Sequence, residues 1–218
     1  MDGKDSWDMD AAVLDLKEKA LKKDGVYWLG IVGIPGSGKS TLAEKLIAKL
    51  KDDHGVVAQC VPMDGYHYSK KELDAFDDPE EAHFRRGAHF TFNGEAFVDD
   101  IKQCQSDLTK PYWFPNWEHA KADPSPGKIE VDPRKHKIVI VEGLYLLLPK
   151  PDPWPEFRSL LDTIWFLDID LDTAVERVAK RNAAAWNWTY EKTMERVKKS
   201  DFLNMKLVLE GNPKELVD

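Results

Sequence analysis

The chain has 218 residues, with 39 Asp and Glu against 31 Lys and Arg and a formal charge of −8. That length suits one domain with a lid or small insertion, and the acidic balance argues against a general nucleic-acid or anionic-membrane surface. Two cysteines, Cys60 and Cys104, offer no metal-ligand spacing and no disulfide framework, and no apolar run approaches membrane-spanning length. The expectation is a cytoplasmic protein with no nucleic-acid or membrane partner, its oligomeric state not legible.

In chain order, Ala11 to Lys22 reads as an amphipathic helix with Val13, Leu14, Leu16, Ala20 and Leu21 on its apolar side. Lys17 falls within that stripe, so its stem must run along the surface. Val26 to Val32 is an apolar run of buried-strand length, and Thr41 to Leu50 has helical periodicity through Leu42, Leu46, Ile47 and Leu50. Between them stand Gly33, Ile34, Pro35, Gly36, Ser37, Gly38, Lys39 and Ser40, which match G-x-x-x-x-G-K-[ST] at every fixed position and are followed by Thr41. Strand, loop and helix in that order form a phosphate-binding loop. Its glycines turn N–H groups inward, and the helix N-terminus adds partial positive charge. Lys39 is placed to reach the β- and γ-phosphates of ATP, and the Ser40 hydroxyl to bind Mg²⁺.

Gly55 to Val61 reads as a second buried strand, running into Pro62, Met63, Asp64, Gly65, Tyr66 and His67. Ser69 to Asn93 is a polar, weakly periodic connection, and Asn93 is placed to cap a helix from Gly94 to about Gln105. Two short strands are expected at Thr109 to Phe114 and Lys128 to Val131, with a Pro- and Trp-rich loop from Pro115 to Pro124 between them. Lys137 to Val141 is the clearest buried strand, ending at Glu142 and Gly143, and Pro149 to Pro155 is a turn. Thr163 to Leu167 is a further strand. Asp170 or Asp172 then caps a helix through about Arg181, Thr189 to Asn204 is another helix, and Met205 to Leu209 a last short strand. Strands alternating with helices predict an α/β fold with a parallel sheet.

Ligands of open α/β sheets bind at the carboxyl ends of strands. Asp64 and Glu142 both sit at such ends. Glu142 is placed as an acid that holds Mg²⁺ directly or through water. Asp64 is placed to take a proton from an attacking hydroxyl, and is a second candidate metal ligand. Arg177 and Arg181 are four apart, on one helical face, and can neutralise charge on a transferred phosphoryl group, although spacing alone favours a solvated basic face. Tyr112, Trp113, Phe114, Trp117 and His119 form an aromatic cluster suited to stacking on a ring or to a small satellite core. Arg85 and Arg86 suit an anionic group on a substrate or a solvated surface pair. With Asp64, Tyr66, His67, Phe92, Trp117 and His119 they make up the candidate substrate contacts.

The order GIPGSGKST, MDGYH, RRGAHFTFN, FPNWEHAKADP, IVIVEGLYLLL and ERVAKRN resembles the phosphoribulokinase/uridine kinase family of P-loop kinases. It is most similar to the uridine-kinase-like branch, which is related to bacterial-type pantothenate kinases. The resemblance runs from Trp28 to about Leu209. It implies a five-stranded parallel sheet flanked by helices, a small substrate-side hairpin and a lid over about 177–190. On this reading residues 1–23 are a flanking helix and 24–218 the P-loop kinase domain. It also implies Mg-ATP as cofactor and a small-molecule hydroxyl as acceptor. The family's catalytic Asp maps onto Asp64, its metal-side Glu onto Glu142, its substrate-loop histidine onto His119 and its lid arginines onto Arg177 and Arg181. The chain departs from the family at Asn116-Trp117-Glu118-His119 and at Asn182-Ala183-Ala184-Ala185-Trp186. Rival classes are a nucleotide-dependent switch or ATPase without an acceptor, and a non-catalytic nucleotide-binding partner. No Asn-Lys-x-Asp guanine-reading motif supports the first of these.

Overall fold

The computed structural model describes residues 7–118 and 120–217. Helix α1 (Met9–Lys22) leads into β1 (Tyr27–Val32), the phosphate loop and α2 (Lys39–His54). Strand β2 (Ala58–Pro62) is followed by the short helices α3 (Lys70–Leu73) and α4 (Pro79–Phe84), then by α5 (Gly94–Ser106). A hairpin of β3 (Tyr112–Glu118) and β4 (Asp123–Val131) precedes β5 (Ile138–Gly143), α6 (Phe157–Leu160) and β6 (Thr163–Phe166). The chain closes with α7 (Leu171–Trp186), α8 (Tyr190–Lys199) and α9 (Asp201–Glu210).

Among the described residues the main sheet has four strands in the order β2-β5-β1-β6, all parallel. This corrects the expected five. The segment from Met205 to Leu209, expected as a strand, lies inside α9, where Asn204, Met205 and Val208 are buried. Those positions recur at one- and four-residue spacing, which is helical. A short apolar run does not distinguish the two periods. The helix expected from Thr189 to Asn204 is also two helices, broken at Ser200, whose N–H caps the carbonyls of Arg196 and Val197. The expected loop between the hairpin strands is largely strand. Both strands run on to Glu118 and Asp123, with a register shift between Phe114 and Asn116 at Pro115, which has no N–H to give a ladder.

The period-two pattern of the central strands divides the core. Trp28 and Val32 of β1, with Val139 and Val141 of β5, face the layer built from α5, the hairpin and α7. Tyr27, Leu29 and Ile31, with Ile138 and Ile140, face α1 and α2. Helix α1 enters that second layer through Val13, Leu16 and Ala20, against Ala43, Leu46 and Leu50 of α2. Leu14 and Leu21, expected on the same stripe, are exposed. Both central strands end at one edge of the sheet, where the phosphate loop begins.

Candidate active site

The phosphate loop is built on two glycines with positive φ, Gly36 at 84° and Gly38 at 97°. Ser37 N–H donates to the Ile34 carbonyl at 3.1 Å, and the Lys39 ammonium lies back along the loop, 3.4 Å from the same oxygen. A side chain at Gly36 would stand 2.7 Å from the Ala174 carbonyl of α7. The loop is thus clamped against the first half of α7, and the Arg177 guanidinium donates to the Gly36 carbonyl at 3.4 Å.

Strand register brings Glu142 of β5 between Pro62 of β2 and Ile31 of β1, the strand that runs into the phosphate loop. Ser40 Oγ donates to Glu142 Oε1 at 3.0 Å. Burial pushes the Glu142 carboxyl above its usual range, against the pull of Lys39 and Ser40. Burial likewise holds the Lys39 ammonium below its usual value, against Glu142 and Asp64. Each is an ion taken largely out of water; the other's charge offsets part of the loss, with Asp64 adding to it for Lys39 and the Ser40 hydroxyl for Glu142. Two buried oxygens at this site, Ser37 Oγ and Glu142 Oε2, have no hydrogen-bond partner among the described residues. An unspent carboxylate oxygen beside a hydroxyl is the donor set that a hydrated Mg²⁺ takes, and the glycine cradle suits the phosphates of a nucleotide. The residues fit Mg-ATP.

Asp64 follows β2 with its side chain 61% exposed, at the mouth of the site. Gly65 next to it packs so closely on the hairpin that a Cβ would fall 2.5 Å from the Pro115 carbonyl. The hairpin is thereby drawn against the end of β2. His67 Nδ1 lies 2.9 Å from the Asp64 carbonyl, and burial holds the imidazole below its usual pKa, hence neutral. Its ring lies between Phe92, 3.9 Å away, and Trp117, 4.7 Å away.

The remaining candidates separate by environment. Tyr66 turns inward: it stacks on Phe97 at 4.1 Å and donates to Asp100 Oδ2 at 2.7 Å. Phe92 is buried, edge-on to Tyr145 at 5.8 Å. Arg86 is a strut: it donates to the carbonyls of Tyr68 and Ala122, both at 2.7 Å, and to Asp123 Oδ1 at 2.6 Å. Its guanidinium also covers the Trp117 ring at 4.9 Å. Arg85 instead points to the last helices, donating to Asn204 Oδ1 at 3.1 Å. Arg181 is exposed on α7 and acts on the charge of both Lys39 and Asp201. His119 lies outside the described residues. The expected lid corresponds to the second half of α7, a turn at Asn187 with φ 53°, and the start of α8. Sequence reasoning missed Arg196, Asp201 and Asn204, because Arg-Val-Lys-Lys reads as an ordinary basic helix surface.

A match to the Phosphoribulokinase / Uridine kinase family spans residues 28–205. A Schizosaccharomyces pombe protein, provisionally named a uridine kinase, is 38% identical over 190 residues, covering 86% of this chain and 80% of that one. The crystal structure of a Silicibacter sp. TM1040 protein, provisionally named a fructose transport system kinase, superposes with a TM-score of 0.81 at 25% identity. It covers 94% of this chain and 95% of that one. The Saccharomyces cerevisiae YFH7 structure, a circularly permuted P-loop protein, shares the fold with a TM-score of 0.80 at 23% identity, over 94% of this chain and 96% of that one. Among the described residues no helix is long and apolar enough to cross a membrane. Phosphate loop, strand-end acids and family match agree: the chain belongs to the phosphoribulokinase/uridine kinase family of P-loop kinases.

Proposed function

We propose that this protein is an ATP-dependent kinase that phosphorylates a hydroxyl of a small molecule of the nucleoside, pantothenate or sugar kind. One observation carries the reading: an exposed carboxylate, Asp64, stands beside the buried Lys39–Glu142 pair and acts on the charge of both. An ATPase or switch needs the pair but has no use for a third group at the mouth, flanked by the His67–Trp117 wall. In this reading Gly33 to Thr41 hold the nucleotide, and Ser40 and Glu142 hold Mg²⁺, with Asp64 able to contribute. Bound Mg-ATP supplies the phosphoryl group and part of the charge neutralisation. Asp64 accepts the proton of the acceptor hydroxyl, whose oxygen forms the new bond to phosphorus as the bond to the ADP oxygen breaks. Arg177 and Arg181 steady the negative charge on the transferred group, and His67 and Trp117 shape the acceptor side. Tyr66, Phe92 and Arg86 form the wall behind. The test is ADP release with ATP and Mg²⁺ against a panel of hydroxyl metabolites. Release that depends on an acceptor supports the proposal; the same rate with and without every acceptor refutes it.

A further inference from the structure

Beside the acceptor wall lies a group of arginines that the reaction described above leaves unused. Arg85 ends α4, with its side chain 18% exposed; its Nη1 is 3.7 Å from Glu81 Oε1, a half-exposed carboxylate one turn back. Its Nη2 is given to Asn204, and its Nε is buried without a hydrogen-bond partner among the described residues. Arg196 of α8 approaches the same segment from the other side. Its Nη2 donates to the Phe84 carbonyl and its guanidinium lies 4.5 Å over the Phe84 ring. Its Nη1 is buried and, among the described residues, also without a hydrogen-bond partner. Two residues after Arg85 is Gly87, with φ +107°, where a Cβ would meet only Nδ2 of Asn204, the partner of Arg85, at 3.8 Å. There is room against that backbone.

The nearby counter-charge is weak. Asp201 faces Arg196 and Arg181, yet burial holds its carboxyl above the usual range. Guanidinium groups with unspent buried N–H donors cost free energy unless an anion meets them. Their planar forks match carboxylate and phosphate oxygens. The place is also adjacent to the chemistry. Gly87 accepts the Tyr145 hydroxyl at 2.8 Å, Tyr145 packs on Phe92, and Phe92 packs on His67 beside Asp64. Arg181 links the cluster to Lys39.

We infer that Arg85 and Arg196, with Asn204 and the open face of Gly87, hold a carboxylate or phosphate group of the acceptor. The substrate is then a hydroxy acid or a phosphorylated polyol, in preference to a neutral nucleoside or sugar. This rests on the kinase reading for the reaction, but the anion site itself does not. Because Arg196 sits on α8, an acidic acceptor also ties the lid to the acceptor wall.

Two measurements test it. In the first, acceptor-dependent ADP release is compared within matched pairs: glycerate against glycerol, and sugar phosphates against their parent sugars. The acidic member should be preferred, and Arg85→Met and Arg196→Met should each raise its KM roughly ten- to a hundredfold while the KM for ATP holds. Equal use of the neutral members, or an unchanged acceptor KM in both variants, overturns the inference and leaves the kinase reading standing. In the second, inorganic phosphate and malonate are titrated calorimetrically into the protein with Mg-ADP present. Wild type should bind one of them and the two Met variants should not, and the stronger probe identifies the acid group. Binding by neither, or binding unchanged in both variants, overturns the inference. No acceptor-dependent release in either series or across the full metabolite panel, with the titration positive, refutes the kinase reading alone. If the Met variants melt early, Arg85→Lys and Arg196→Lys keep the charge but lose the fork, and should raise the acceptor KM without lowering Tm.

Discussion

The two halves of the site are built by opposite means. On the phosphate side, side chains from contiguous or register-paired positions meet at strand ends: Lys39 and Ser40 start α2, and Glu142 pairs with Ile31 and Pro62. Polar oxygens there are buried and left without a hydrogen-bond partner among the described residues, as Ser37 Oγ and Glu142 Oε2 show. On the acceptor side, groups from five separate segments converge through packing. Trp117 comes from the hairpin, His67 from the end of β2, Phe92 and Arg86 from the α4–α5 connection, Tyr145 from the end of β5, and Arg196 from α8. Backbone geometry dictates the first half. Tertiary packing dictates the second, which can therefore be recut for a different acceptor without disturbing the first.

The contrast predicts that substitutions on the phosphate side abolish chemistry in a folded protein. Lys39→Ala should weaken ATP binding and lower turnover by roughly a thousandfold or more, since no other lysine is set to meet the phosphates. Steady-state kinetics with a circular-dichroism control reads this, and normal turnover by the folded variant would break the assignment. Asp64→Asn should act next most strongly. Asn keeps the shape but cannot accept a proton, so kcat should fall about a hundred- to ten-thousandfold with ATP affinity largely kept. Recovery in excess Mg²⁺ would make Asp64 a metal ligand instead of a base.

Across the site the order reverses. Arg86→Ala should be felt first as lost stability, because a mostly buried guanidinium ties Tyr68, Ala122 and Asp123 together. Removing it leaves two carbonyls without their donor and the Asp123 carboxylate with the Lys70 N–H in place of an ion pair, at a cost of about 3 kcal/mol. That corresponds to a drop of roughly 6 to 12 °C in Tm, which thermal denaturation measures. An Arg86→Ala protein that melts like wild type but has lost acceptor affinity would move Arg86 from the scaffold to the substrate.

The same contrast governs what the sequence discloses. The loop Gly33 to Ser40 fits a fixed pattern because each of its positions answers to one backbone requirement, so its strand, turn and helix are legible together. Glu142 is legible because the run before it is plainly a buried strand. Arg85 and Arg86 are adjacent and chemically identical, and nothing local separates the one tied to the hairpin from the one turned to the last helices. Only Asp123 and Asn204, 37 and 119 residues away along the chain from them, tell the two apart. Met205 to Leu209 misleads for the same reason: a short apolar stretch takes its period from what it packs against. Tyr66 sits two residues from Asp64 in the sequence, yet its ring belongs to Phe97 and Asp100.

The smallest expected effect puts the phosphate side to its most direct energetic test. Burial raises the Glu142 carboxyl above its ordinary value despite Lys39 and Ser40, so holding it charged costs stability in the protein without nucleotide. The sign follows from proton binding. Between the unfolded carboxyl pKa, about 4.3, and the raised folded value, the native state holds more of the proton than the unfolded chain. Stability from this group is therefore full below the unfolded pKa and is lost as pH rises through the folded one. Glu142→Gln removes that loss and keeps an oxygen for the Ser40 hydroxyl. At neutral pH the variant should be more stable by on the order of 0.5–2 kcal/mol, raising Tm by a few degrees, while its Mg²⁺-dependent turnover collapses. Lowering the pH should shrink the gap between the two proteins, since wild-type Glu142 then takes up its proton. Comparing their melting curves from neutral pH down toward pH 4.5 isolates this group, because the partly buried histidines His67, His89 and His136 titrate in both. A variant less stable than wild type at neutral pH would mean that the Lys39–Glu142 attraction outweighs the burial of both ions, and that the site is held together by the pair instead of strained by it.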